Sequence, residues 1–125
     1  MIQDSISLSK NFAAGGTITK GAIVMFGSDD DTVVVATGAT DRPIGVALAA
    51  AASGERVDIQ VAGVAEVKLG GTVARGGDVT SGAAGVGVDL SAAATIKSSI
   101  GRAMASGVTG DIIPVAINVW SAVTA

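Results

Sequence analysis

At 125 residues the chain has the length of one domain, and its 49% hydrophobic content is mostly Val, Ile and Ala, with only 2% aromatic; such small side chains fill little core volume. A formal net charge of −3 and a sequence pI near 4.6 exclude a basic footprint for nucleic-acid phosphates. With no cysteine and no histidine, disulfides, thiolate or imidazole metal sites, and Ser–His or Cys–His catalytic pairs are excluded as well.

Met1-Ile2-Gln3-Asp4-Ser5 lacks the basic and apolar regions of a signal peptide, and no run approaches the ~20 apolar residues that span a bilayer. The expected product is soluble and made in the cytoplasm. Ile6 and Leu8 alternate with Ser5, Ser7 and Ser9, a period of two that reads as a short strand or extended arm over Met1–Ala14. Either this terminus is a frayed tail, or it pairs with a neighbouring subunit or another protein through Ile6, Leu8 and Phe12. Ala13-Ala14-Gly15-Gly16 reads as a loop.

Ile23–Phe26 and Thr32–Ala36 are apolar, β-branched runs around Gly27-Ser28-Asp29-Asp30-Asp31, a strand–turn–strand pattern. Thr37–Arg42 reads as a loop, and Pro43 leads the strand Ile44–Ala49. The Ala49–Ala52 run is too short to nucleate a helix before Ser53-Gly54, so a loose hairpin connection is expected. From Arg56 the alternation is long: Val57, Ile59, Val61, Ala65, Val67 and Leu69 on one face, mainly polar residues on the other. Its length predicts two strands, Arg56–Ala62 and Val64–Leu69, with a corner at Gly63. Further on, Asp89–Ala94 has the composition of one helical turn. Ser99–Ala105 and Asp111–Trp120 read as strands, and Pro114 argues that the last lies at an edge or a bulge.

Much of this is written twice. Ile44-Gly45-Val46-Ala47-Leu48 returns fifty-six positions later as Ile100-Gly101-Arg102-Ala103-Met104. Gly15-Gly16-Thr17-Ile18-Thr19-Lys20-Gly21 returns after fifty-five as Gly70-Gly71-Thr72-Val73-Ala74-Arg75-Gly76. The expected fold is all-β, a small barrel or sandwich built from two tandem β repeats, with an extended N-terminal arm. Residues 1–14 form the arm and 15–125 a single β domain, repeat one 15–69 and repeat two 70–125. Pseudo-twofold packing of the halves is expected. Neither half buries enough to fold alone, and association with sister copies is a natural remedy.

The chemistry left for catalysis is thin. Asp29-Asp30-Asp31 lacks the spaced ligands of a calcium loop and reads as a solvated turn. Ser7-Leu8-Ser9-Lys10 spells S-x-x-K without its companion motifs. The glycine pairs are not followed by Lys-Ser or Lys-Thr and read as turns. Asp58, Glu66, Asp89 and Asp111 leave a two-carboxylate hydrolase compatible with composition, but aromatic sugar platforms are nearly absent. No enzyme, metal or cofactor is expected. Trp120 either covers the open end of the barrel or anchors a subunit interface.

Thr17–Val24, with its Lys20-Gly21-Ala22-Ile23-Val24, resembles the first repeated strand of the capsid decoration, or cement, proteins of tailed bacteriophages. Arg42-Pro43-Ile44-Gly45-Val46-Ala47 through Ser53-Gly54-Glu55-Arg56-Val57-Asp58-Ile59 is similar to that family's most characteristic stretch. Val73-Ala74-Arg75-Gly76-Gly77-Asp78-Val79 and Ile100–Ala105 are the second-half counterparts. Ala22 departs from the Asp common in the family, which Asp78 keeps. The resemblance implies a homotrimer on the outer surface of a phage head, binding the major capsid protein and bridging capsomers after shell expansion. By that analogy Ile2, Ile6, Leu8 and Phe12 are the capsid-contacting arm and Trp120 a subunit contact, with no nucleic acid or membrane partner. A carbohydrate- or receptor-binding β module of a virion surface or fibre is the alternative.

Overall fold

The computed structural model describes residues 8–38, 41–90, 97–117 and 122–123. In chain order the strands are β1 (Leu8–Ala14), β2 (Ile23–Phe26), β3 (Thr32–Val35), β4 (Pro43–Ala47), β5 (Arg56–Lys68) and β6 (Asp78–Ser81), then β7 (Gly87–Asp89), β8 (Lys97–Ser98), β9 (Gly101–Ala103), β10 (Ile112–Ile117) and β11 (Ala122–Val123). A 3-10 turn, Ala83–Gly85, joins β6 to β7.

The all-β expectation holds. β5 is the spine, and its odd residues explain why. Val57 and Ile59 are buried in one core, Ala65 and Val67 in a second, so one continuous apolar stripe serves both. Gly63, with φ +97°, does not break the strand into two as the sequence predicts. It marks where the partners change. Before it, β5 pairs with β1 and β4; from it onward, β5 pairs with β10.

The order β1-β3-β2-β4-β5, with β1 returning antiparallel to β5, closes a five-stranded barrel. It encloses Phe12, Ile18, Val24, Val33, Val57 and Ile59. First-half strands therefore complete a barrel by themselves. β5 then carries on into β10-β9-β6-β7. A parallel bridge between Leu69 and Gly87, with Gly70 N–H donating to Gly87 C=O at 2.9 Å, draws β7 back to the end of β5. Val67, Leu69, Val73, Val79, Ile100 and Val115 fill this second half. Ile23, Ala36 and Val46 of the first half join the second core, so the halves share apolar contacts. β8 and β11 form a separate antiparallel pair.

Three local expectations change. Ala13 and Ala14 belong to β1, so the loop begins at Gly15. Pro114 lies on an interior strand between β5 and β9, not at an edge. Its carbonyl accepts from Met104 N–H at 2.9 Å, so its backbone polar edge faces β9, which ends at Ala103. The missing proline N–H thus costs only the rung at which β9 stops. The third change is the Ala83–Gly85 turn, in a stretch for which the sequence predicts no helical turn. Ser91–Ala94 of the expected helical turn, and residues 118–120 of the expected last strand, lie outside the described residues.

Candidate docking surface

The predicted contact residues of the N-terminus separate sharply. Leu8, at the start of β1, is 61% exposed, whereas Phe12 is 3% exposed and part of the first core. Phe12 therefore cannot serve as a shell contact without opening the barrel. The reason is pairing: β1 runs against β5 from Leu8↔Ala62 to Ala13↔Arg56, which turns Phe12 inward beside Val57. The edge of Phe26 meets its ring at 5.8 Å between centroids, and Lys10 Nζ sits 4.4 Å above it. Ile2, Ile6 and Trp120 lie outside the described residues.

The even residues of β5, buried Gln60 apart, define the outer face, and its character changes along the strand. Near Arg56 it is a polar lattice. Arg56 donates from Nη1 and Nη2 to the Asp31 carboxylate at 2.6 and 3.2 Å, and from Nε to Asn11 Oδ1 at 2.6 Å. Asn11 Nδ2 in turn donates to Asp58 Oδ1 at 3.0 Å. The guanidinium hydrogen-bonded to Asp31 holds that carboxyl below its ordinary value, and Asp31 in return raises Arg56. Beyond Gly63 the outer face sets exposed apolar side chains among charged ones. Val64 lies opposite Ala116 and Lys68 opposite Ile112 on β10, while Met104 N–H bonds to Pro114. Val64, Met104 and Ile112 are 39%, 53% and 59% exposed. Glu66, Lys68 and Arg102 stand among them as exposed charges.

The remaining candidates do not assemble into a reactive centre. Asp29 Oδ1 accepts the Asp31 N–H at 3.0 Å, closing the acidic turn on itself. Asp58 and Glu66 lie eight residues apart along β5, about 26 Å in an extended strand, too far to converge on one substrate. Asp111 accepts Val108 N–H at 2.9 Å within its turn. Asp41 accepts from Thr37 N, Thr37 Oγ1 and Gly38 N, and the Thr37 N–H foremost lowers its carboxyl. Among the described residues, no three His, Cys, Asp or Glu side chains are grouped to hold an ion. An open depression of about 290 Å³ between Thr17–Thr19 and Ala50–Ala52 has Glu55 as its one ionisable lining residue. That carboxylate accepts Ala52 N–H at 2.7 Å.

The chain belongs to the phage cement protein family, whose model matches residues 2–117. Among solved structures it is similar to the N base of the head fiber protein gp8.5 of bacteriophage phi29. That likeness has a TM-score of 0.70 at 19% identity and covers 91% of this chain and 96% of that one. Among proteins with curated descriptions, none matches the sequence.

Proposed function

We propose that this chain is a structural capsid decoration protein that binds the outer surface of a phage head as a homotrimer and stabilises the shell against internal pressure. Its partner is the major capsid protein. The observation that carries this reading is the family match across nearly the whole chain. The acidic balance suits a face turned away from DNA. The shell-contacting surface is the N-terminal segment through Leu8, with Ile2 and Ile6, joined to the apolar outer face around Val64 and Ile112. Trp120 is the proposed contact between subunits.

Co-sedimentation of the purified chain with expanded heads tests the reading, with multi-angle light scattering for the trimer. Saturable attachment and heads that survive higher temperature are expected. A monomer that leaves heads bare and no more heat-resistant would overturn it. The likeness to a head fiber base keeps a second reading in play, a receptor- or carbohydrate-binding module of a virion fibre. A glycan array separates the two, since the decoration reading expects no glycan bound.

A further inference from the structure

We infer that the chain is one β unit used twice, spanning residues 8–62 and 63–117, and that charged residues at its two outer ends exclude a further copy from surfaces shaped to receive one. The backbone hydrogen bonds carry the frame. Ala14 N→Glu55 O (2.8 Å) has its counterpart in Leu69 N→Asp111 O (2.8 Å), and Gly54 N→Ala14 O in Gly110 N→Leu69 O. Gly21 N→Ala47 O and Ile18 N→Ala51 O are matched by Gly76 N→Ala103 O and Val73 N→Gly107 O. β1 thus corresponds to the second part of β5. The unit begins seven residues before the position that sequence similarity marks, and β1 belongs inside it.

At the joint between units, Ile23 and Val46 are register partners on β2 and β4, and they are 0% and 1% exposed. The Ala83–Gly85 turn of the second unit lies against Ile23 and the adjacent Ala22. A side chain at Gly85 would place its Cβ 2.8 Å from Ile23 O and 3.3 Å from Ala22 Cβ. On the second unit the equivalent register partners are Asp78 and Arg102. They form an ion pair at 3.3 Å, with side chains 42% and 74% exposed. On the first unit, Ser28-Asp29-Asp30-Asp31 stands where Ala83–Gly85 stands in the second, between the matching bonds Gly27 N→Thr32 O and Gly82 N→Val86 O. Each outer end therefore has the backbone of the joint but charge in place of its apolar contacts. Burying those charges without new partners is costly, and polar end faces are what stop arrays of stacked units from growing. A second copy of this chain is the partner these ends fit in shape and refuse in charge.

Three full-length variants test this by sedimentation velocity, with far-UV circular dichroism to verify β content. One carries Asp78→Ile with Arg102→Val; another has residues 28–31 replaced by Ala-Ala-Gly; the third has both changes. Each one-ended variant is expected to sediment like the parent. Mixing the two one-ended variants yields a new species that roughly doubles the mass in a closed pair. The variant with both changes grows into chains whose length rises with concentration. If the loop replacement lacks parental β content, Asp29→Ala with Asp30→Ala takes its place. Parental size for both the mixture and the two-ended variant overturns the inference. So does growth of either one-ended variant alone, which signals indiscriminate stickiness.

Discussion

Gly45 and Gly101 occupy equivalent places on β4 and β9, and both are glycine for a steric reason. A Cβ at Gly45 would lie 2.2 Å from Gln60 O, and one at Gly101 would lie 1.9 Å from Ala116 O, with φ at Gly101 of +153°. Gly101→Ala is expected to cost about 4 kcal/mol or abolish folding, because β9 and β10 must separate. Gly110→Ala meets open space and costs only the ~1–2 kcal/mol of its left-handed backbone. Urea denaturation of the two variants measures the contrast. At Asp31 the carboxyl is depressed, so its contribution is present above the ordinary value of 3.8 and is lost as pH falls through the lower folded-state value. The Tm difference between parent and Arg56→Gln should therefore be constant from pH 7 to 5 and close below pH 3.8. An unchanged difference at pH 2.5, by calorimetry, would reject this role for the ion pair.

Among the elements, β1 and β5 decide what the N-terminus can do. Removing residues 2–7 leaves every β1–β5 pairing from Leu8 onward intact, so Tm is expected to hold while attachment to heads weakens. Removal through Phe12 takes out a core aromatic; Phe12→Ala by itself is expected to cost about 3–5 kcal/mol. Circular dichroism melts of the two deletions tell them apart. On β10, Ile112 is 59% exposed, so Ile112→Asp should change stability by less than about 0.5 kcal/mol yet reduce co-sedimentation with heads. Undiminished co-sedimentation would remove that face from the contact.

For the molecule as a whole, the shared core sets cooperativity. Ile23, Ala36 and Val46 come from the first half but are buried in the second core, so neither half can open without exposing apolar surface of the other. A single unfolding transition is expected, with coincident curves from circular dichroism and from exposure-sensitive dye binding. A fragment of residues 1–62, which leaves Ile23 and Val46 bare, should be unfolded by circular dichroism.

The β class, the strands at Ile23–Phe26 and Thr32–Val35, and the lack of His and Cys chemistry were legible from residue types and a period of two, because those signals are local. The spacing of fifty-five to fifty-six residues was legible too, as matched glycines and β-branched residues. Phe12 was misread from its place near the terminus, although it stands fifty-five residues before buried Val67 and so carried a signal of its own. Gly63 and Pro114 were misread because what a glycine or proline does in a strand depends on the neighbours its backbone faces. Only the tertiary structure decided that β1 closes the first barrel and that, beyond Gly63, the outer face of β5 lies beside exposed Ile112 of β10. Those outcomes rest on register between strands some fifty residues apart, and such long-range pairing leaves no mark in any short window of sequence.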